Sequence, residues 1–367
     1  MTKATLRSNA KLKSRSAHTV IRHLSVAVSA IAVSLSSCAP NLPITNSETS
    51  QKQPASASSE LQVVTTFLPV SRFTKAVAGD RAEVTQLLPT NVSPHEYQAT
   101  PEDAQKLARA DVLVQNGLEM ESFLTDLVQN AGNADLKVVD SSQGIQPIST
   151  ESIEETVGDH DHAGEEEAGH GEFNPHIWLD PKRAIQQVEN IRDGLVAADP
   201  DGKEIYTANA AAYIQKLQEL DAETTAILQP YRGKTFVAFH DFAPYFAESY
   251  SLKANFLVDV PEDNPSPDDV KRVIDTVKAT QLKTLLTEPQ GGQDGFAALA
   301  KDLNVRVSTF DPMETGGAEA LQPDYYISTM RQNVKTLVTA FSGQPPQSLL
   351  PLRPSVAVVP QPVGIRF

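Results

Sequence analysis

From Leu61 onward, short apolar runs alternate with longer segments patterned like helices. Eight of these runs are typical of strands, in two groups of four: residues 62–68, 83–88, 111–115 and 137–140, then 235–239, 253–258, 283–287 and 306–309. Helical patterns lie between them, for example at residues 100–109, 120–130 and 267–280. Strands separated by helices indicate parallel sheets built from βα units. The pattern predicts an α/β protein with two similar lobes, each a mainly parallel four-stranded sheet flanked by helices.

A long helix is predicted between the two groups, over residues 199–230. Asp199 and Pro200 suit its N-cap and first helical position, and Pro230 ends it. Apolar side chains recur between them at spacings of three, four or seven, namely Tyr206, Ala210, Tyr213, Leu217, Leu220 and Ile227. Roughly 28 residues would make a rod of about 42 Å, long enough to run along both lobes. A core helix of one lobe fits the same pattern equally well.

The lobes are therefore predicted at residues 61–198 and 231–342. Two segments lack the pattern of a packed core. Residues 151–172 are acidic, Gly-rich and nearly free of apolar side chains, which is typical of a loop. Residues 343–367 carry six prolines and are predicted to form an irregular tail.

The N-terminus is typical of a secretion signal. A basic leader is followed by an apolar run at residues 24–35, too short for a permanent membrane span but suited to a signal peptide. The run ends in Leu-Ser-Ser-Cys38, which resembles the lipobox of bacterial lipoproteins. The resemblance implies a signal peptide at residues 1–37, a lipid anchor on Cys38 and a flexible spacer at residues 38–60, outside the cytoplasm at the bacterial inner membrane. A buried, unmodified cysteine is the alternative.

The composition argues against several classes of function. The 367 residues contain 31 Lys and Arg against 46 Asp and Glu, a formal net charge of −15, which argues against nucleic acid as a partner. The single cysteine excludes an intrachain disulfide and a Cys-rich zinc finger. The sequence has no Gly-x₄-Gly-Lys-Ser/Thr phosphate loop and no series of permease-like spans.

The histidines carry the candidate chemistry. Of eight, two lie in the leader and three, His160, His162 and His170, lie in the acidic loop. The other three stand beside prolines or strands: His95 in Ser-Pro-His-Glu-Tyr, His176 in Asn-Pro-His-Ile-Trp-Leu-Asp-Pro, and His240 in Phe-His-Asp. They are the candidates for a defined site.

Their places in the chain suggest one shared cleft. His95 follows the second strand, His240 follows the fifth, and Asp311 follows the eighth. Ligands of open α/β sheets bind beyond the carboxyl ends of strands, where a loop could add His176. Three imidazoles and one carboxylate make a tetrahedral set that suits Zn²⁺ at about 2.0–2.2 Å. A histidine beside a strand is more often a core or surface residue, so spacing alone leaves both interpretations open.

Residues 61–341 resemble the zinc-type (ZnuA-like) cluster A-I substrate-binding proteins of bacterial metal ABC transporters. The matching phrases are Val64-Thr65-Thr66-Phe67-Leu68-Pro69, Ser93-Pro94-His95-Glu96-Tyr97, Asn116-Gly117-Leu118-Glu119 with Phe123, Asn174-Pro175-His176-Ile177-Trp178-Leu179-Asp180-Pro181, His240-Asp241 with Tyr245-Phe246, Thr287-Glu288-Pro289-Gln290 and Asp311-Pro312. The resemblance implies that His95, His176 and His240 are metal ligands, with Asp311 in or near the fourth position. It also implies two lobes joined by one rigid helix, and a monomer that docks on a membrane permease.

Ligand chemistry favours zinc as the transported ion. Manganese-type members of this family carry Glu at the third position, where this chain has His240. Imidazole suits Zn²⁺ and carboxylate suits Mn²⁺, although Cu²⁺ outranks both in raw affinity. We therefore predict one tight Zn²⁺ site, with manganese or broad divalent-metal binding as the alternative. The loop histidines either bind zinc weakly and pass it inward or belong to a solvated insertion.

Two other functions compete with metal capture. A zinc hydrolase would use Glu96 or Asp241 as the base, but the sequence has no His-Glu-x-x-His helix and a fourth protein ligand would close the site. An adhesion lipoprotein would explain the tail and the acidic loop, but not the three histidine phrases. The sequence thus predicts a periplasmic zinc-capture protein without enzymatic activity.

Overall fold

The computed structural model describes residues 60–150, 171–261, 264–289, 291 and 293–343. The predicted signal peptide, Cys38, the spacer up to residue 59, the three loop histidines and the tail from residue 344 lie outside the described residues.

The first lobe is a parallel sheet with its helices. Its strands are β1 (Leu61–Thr65), β2 (Ala82–Gln86), β3 (Val112–Gln115) and β4 (Lys137–Asp140), and its helices are α1 (Leu68–Ala78), α2 (Pro101–Leu107) and α3 (Leu124–Ala131). The strand order is β2-β1-β3-β4, with every pair parallel. Local sequence sets the boundaries: Thr100 and Asp103 form a capping box at the start of α2, and Pro101 occupies its first turn.

Two consecutive helices follow, α4 (Pro181–Ala198) and α5 (Lys203–Leu228). The predicted long helix corresponds to the 26-residue α5, flanked by 3₁₀ turns at Pro200–Gly202 and Gln229–Tyr231. Its predicted apolar stripe is buried except at Ile227, which is half-buried. Asp199 does not cap the α-helix, because its carboxylate accepts hydrogen bonds from Arg81 at 2.7 Å and Tyr206 at 2.8 Å instead. The helix α4 was not predicted.

The second lobe repeats the architecture of the first. It contains β5 (Thr235–His240), β6 (Lys253–Val258), β7 (Thr284–Thr287) and β8 (Arg306–Thr309), with α6 (Pro244–Ser249), α7 (Pro267–Thr280), α8 (Gln293–Leu303) and α9 (Tyr325–Ser342). Its strand order is β6-β5-β7-β8, again all parallel. The predicted fold of two similar α/β lobes joined by a long helix is confirmed.

The core runs through both lobes. One cluster of buried apolar side chains joins the first sheet, α1, α4 and α5 to α9 and one face of the second sheet. Within it the rings of Phe73 on α1 and Tyr326 on α9 lie 4.9 Å apart. A second cluster fills the space between the other face of the second sheet and α7 and α8. The two lobes are therefore packed against a shared spine.

Across the part of the chain that the structure describes, no helix is both long enough and apolar enough to cross a membrane.

Candidate metal centre

Four side chains from separate parts of the chain meet between the lobes: His95, His176, His240 and Glu314. One donor atom from each lies within 4.8 Å of the others. His95 stands in the loop after β2, His176 directly before the 3₁₀ turn Ile177–Leu179, and His240 is the last residue of β5. Glu314 lies in the segment between β8 and α9. The structure therefore brings together the three predicted histidines and adds a carboxylate that was not predicted.

The distances within this group suit a tetrahedral ion. Glu314 Oε1 lies 3.4 Å from His95 Nε2, 3.3 Å from His240 Nε2 and 2.9 Å from His176 Nε2. The Nε2 atoms of His176 and His240 are 3.3 Å apart. Ligands about 2.0–2.1 Å from a tetrahedral zinc are separated from one another by about 3.3 Å. The donor set is three imidazole nitrogens and one carboxylate oxygen, a combination that Zn²⁺ accepts.

Neighbouring oxygens orient two of the rings. Glu288 Oε1 lies 2.7 Å from His240 Nδ1 and accepts a hydrogen bond from the His240 backbone N–H at 3.0 Å. Asn174 Oδ1 lies 3.1 Å from His176 Nδ1 and accepts from the His176 backbone N–H at 3.1 Å. A proton held on each Nδ1 leaves the lone pair of each Nε2 directed at the centre, as in many metal sites of proteins.

Burial and neighbouring charges shift the pKa values of the side chains at this centre. His176 is fully buried, and this burial lowers its pKa to about 3 despite the nearby Glu314. Burial would also lower the pKa of His240, but the carboxylates of Glu288 and Glu314 raise it well above its usual range. Burial opposes ionisation of Glu314, while His240 and His95 hold its pKa well below the usual range. These shifts favour an ionised Glu314 beside a protonated His240, so a cation bound among the four side chains would displace that proton.

Asp311, predicted in or near the fourth position, is not among the four side chains that meet here. Its Oδ1 accepts a hydrogen bond from the Met313 backbone N–H at 2.8 Å, and its Oδ2 accepts from the Tyr325 hydroxyl at 3.1 Å. Burial raises the pKa of this carboxyl group to about 6. Met313 adopts a left-handed conformation with φ of 63°. The chain therefore turns after Asp311, and the carboxylate that reaches the histidines belongs to Glu314.

The two acids proposed as hydrolytic bases have different surroundings. Asp241 is buried and accepts a hydrogen bond from Asn174 Nδ2 at 2.9 Å, so it fixes the amide that orients His176. Glu96 lines a cleft of about 1010 Å³ that opens beside His95, together with Glu119 and Glu121. His95 is the least buried of the four side chains and also lines this cleft.

Sequence reasoning missed Glu314, and it assigned no role to Glu288 or Asn174. A signal existed for Glu288, because it follows β7 directly and so falls at the same sheet edge as His240. Asn174 has the weaker signal of a polar residue two positions before a histidine. The loop sequence around Glu314 gave no comparable indication.

Comparison with known proteins identifies the family. The family model described as the zinc-uptake complex component A, periplasmic (ZnuA) matches residues 63–340. This chain belongs to the ZnuA family.

Among curated ZnuA-family relatives, the zinc-binding lipoprotein AdcA of Streptococcus pneumoniae strain R6 is 36% identical over 289 residues, which cover 78% of this chain and 56% of AdcA. The manganese-binding lipoprotein MntA of Halalkalibacterium halodurans is 33% identical over 287 residues, or 77% of this chain and 89% of MntA. This chain thus spans about half the length of the AdcA proteins that it matches.

Solved structures agree with the family assignment. The Zn(II)-bound ZnuA-like domain of S. pneumoniae AdcA superposes with a TM-score of 0.64 at 33% identity, covering 77% of this chain and 98% of that domain. A ZnuA crystal structure superposes with a TM-score of 0.64 at 29% identity, covering 76% of this chain and 99% of that one. The family predicted from the sequence is therefore confirmed.

Proposed function

We propose that this protein captures Zn²⁺ outside the cytoplasm and delivers it to an ABC-type metal importer. The observation that carries the proposal is the donor set of His95, His176, His240 and Glu314, in which the three histidine Nε2 atoms lie 2.9–3.4 Å from Glu314 Oε1, close to the edge length of a zinc tetrahedron. The zinc-binding AdcA relatives and the Zn(II)-bound ZnuA-like domain support it.

The donor chemistry favours zinc over manganese. Three imidazoles and one carboxylate are softer than the oxygen-rich sets that Mn²⁺ prefers. The relative named as a manganese-binding lipoprotein keeps manganese as the second candidate. Both ions would be cargo, held for transfer and then released.

We propose capture rather than catalysis, because four protein donors leave no open position for a reactive water. A buried tetrahedral site with all its donors supplied by the protein suits storage and transport of an ion. The proposal that Glu96 or Asp241 acts as a base would require turnover that depends on His95.

The remaining parts of the proposal follow from the sequence. Lipidation at Cys38 would tether the protein to the outer face of the inner membrane, where a monomer would dock on a separate permease. His160, His162 and His170 would bind zinc weakly and pass it to the cleft. Tight binding would not need them, because ordering a polar loop around an ion costs conformational entropy.

The test is a zinc titration of the mature protein with competing Mn²⁺. Wild type, His240→Ala and a deletion of residues 158–172 are compared by equilibrium competition against a chelator. We expect one tight zinc, whose affinity the deletion leaves unchanged and His240→Ala lowers by more than about 100-fold. Even competition by manganese, or normal binding by His240→Ala, would overturn the zinc-capture proposal.

Growth of a deletion strain separates transport from adhesion. Zinc-limited growth should fail without the gene and recover with added zinc. A deletion strain that is indifferent to zinc would favour the adhesion alternative, which two structural neighbours described as laminin-binding proteins keep in view.

A further inference from the structure

Glu314 follows β8 in the sequence, yet the segment that carries it is attached to the first lobe. Trp178 Nε1 donates a hydrogen bond to the Pro312 carbonyl at 2.8 Å. The Gly316 backbone N–H donates to the Thr90 carbonyl at 2.7 Å. These two bonds lie two residues before and two residues after Glu314. The donor carboxylate is therefore suspended between two attachments to the first lobe.

A third attachment lies further along the same segment. Arg72 on α1 donates from Nη1 to the Leu321 carbonyl at 2.6 Å. The Arg72 residue is only 7% exposed, and its Nε and Nη2 have no hydrogen-bond partner among the described residues. A buried guanidinium with unpartnered nitrogens is costly to desolvate, so its replacement by an apolar side chain of similar length need not lower the free energy of unfolding. The hydrogen bond from Arg72 to Leu321 connects α1 to the segment that follows Glu314.

The attachment to the second lobe lies at Asp311. Its backbone N–H donates to Asn333 Oδ1 at 2.9 Å, and its carbonyl accepts from Asn333 Nδ2 at 2.7 Å. Asp311 is thus the root of the segment, and the turn at Met313 directs the chain towards the first lobe. His240, in contrast, ends β5 and has Glu288 at its Nδ1, and both of these residues belong to the second lobe.

We propose that Trp178 and Arg72 are positioning residues that hold Glu314 at the metal centre from the first lobe. The four donors then divide three to one: His95, His176 and Glu314 stay with the first lobe, and His240 alone comes from the second. Separation of the lobes withdraws only His240 from the ion. The inference rests on the proposed function, since it assumes that the four residues bind the transported ion.

Two substitutions test the attachments. Trp178→Phe removes the indole N–H that reaches Pro312 but keeps an aromatic ring, and Arg72→Met removes the bond to Leu321. We expect each to weaken zinc binding by about tenfold, the low end of the loss seen when a group that supports a metal ligand is removed. Arg72→Met should leave the thermal unfolding of the metal-free protein unchanged or raise its midpoint, because it removes buried nitrogens without partners.

Tyr250→Phe is the matched control. It removes a hydrogen bond of 3.1 Å from the Tyr250 hydroxyl to Asp221 on α5, which also joins the second lobe to another part of the chain. This bond does not involve the segment of residues 312–321. We expect lower thermal stability and a zinc affinity within about twofold of wild type. An equal loss of zinc affinity in Tyr250→Phe and Arg72→Met would overturn the positioning role.

A double-mutant cycle gives the decisive readout. Trp178→Phe and Arg72→Met should lose their effect on zinc affinity in a Glu314→Gln background and keep it in a His240→Ala background. Full additivity with Glu314→Gln would overturn the proposal, because the two residues would then act elsewhere. If neither Glu314→Gln nor His240→Ala weakens zinc binding, the proposed function itself fails, which separates the two possible failures.

Discussion

The two lobes share one topology but use the end of the central strand differently. Strands β1 and β5 hold the same place in sheets ordered β2-β1-β3-β4 and β6-β5-β7-β8. In each lobe a buried glutamate follows the third strand of that lobe and lies at the end of β1 or β5. In the first lobe it is Glu121, and in the second it is Glu288.

The partner of each glutamate decides its role. Glu121 Oε1 accepts hydrogen bonds from the Thr66 hydroxyl at 2.6 Å and the Asn116 backbone N–H at 2.7 Å, so it fixes the loop after β3. Glu288 Oε1 instead lies against the His240 imidazole. A buried carboxylate thus fixes a loop in the first lobe, whereas its counterpart in the second lobe orients His240, the proposed metal ligand.

The first lobe supplies its two histidines from loops, whereas the second supplies its histidine from the end of a strand. His95 comes nine residues after β2, and His176 comes just before α4. The loop fixed by Glu121 has its own constraint, because Gly117 adopts φ of 90° and a Cβ there would lie 2.2 Å from Asp140 Oδ1. Corresponding positions in the two sheets therefore have different roles.

The largest contrast is expected at the central strand ends. His240→Ala removes a metal donor and should weaken zinc binding by more than about 100-fold, beyond the loss from a supporting group. Thr66→Val at the corresponding place should leave zinc affinity within about twofold and lower the free energy of unfolding by about 1–2 kcal/mol. Chelator competition and denaturant unfolding measure the two quantities. Similar zinc affinities for the two variants would contradict the different roles assigned to His240 and Thr66.

The two glutamates should differ by a smaller amount. Glu288→Gln weakens the orientation of His240, so we expect a loss of about 10- to 100-fold in zinc affinity. Glu121→Gln places an amide nitrogen against backbone donors, so it should lower the free energy of unfolding by about 1–3 kcal/mol with zinc affinity within about threefold. The same titrations and unfolding curves measure both effects. A large loss of zinc affinity in Glu121→Gln would contradict its role in fixing only the loop after β3.

The pH dependence should sharpen the difference further. Because Glu288 and Glu314 raise the pKa of His240 well above its usual range, the metal-free centre holds a proton at pH 7 that zinc must displace. Zinc affinity should therefore rise with pH, by about tenfold per unit while His240 remains protonated. Titrations at pH 6, 7 and 8 measure the slope, and Glu288→Gln should flatten it. An unchanged affinity between pH 6 and 8 would contradict the site.

Much of the fold could be predicted because the apolar pattern carries it. The predicted and observed boundaries differ where an apolar run continues from a strand into the following helix. The first predicted strand, at residues 62–68, ends at Thr65 in the structure, since Phe67 occupies the N-cap position of α1 and Pro69 lies in its first turn. An apolar run cannot by itself distinguish the end of a strand from the start of a helix. The missed helix α4 carries buried residues spaced by three and four, which a closer reading of the sequence could have found.

The candidate site was less predictable than the fold. Three histidines could be placed together because each belongs to a distinct sequence phrase. The fourth donor depends on the turn between Asp311 and Glu314, which is set by a left-handed Met313 and by bonds to Trp178 and Thr90. These contacts join residues far apart in the sequence. The position of Asp311 after a strand therefore made it the predicted fourth donor, whereas the structure places Glu314 beside the three histidines.

The most direct test of the account is a crystal structure of the zinc-loaded protein with anomalous diffraction at the zinc edge. We expect one strong zinc peak between the lobes, bonded to Nε2 of His95, His176 and His240 and to a carboxylate oxygen of Glu314. A zinc ion bonded to Asp311 in place of Glu314 would contradict the fourth donor. A zinc ion bound elsewhere, with the four cleft side chains free of metal, would contradict the central claim.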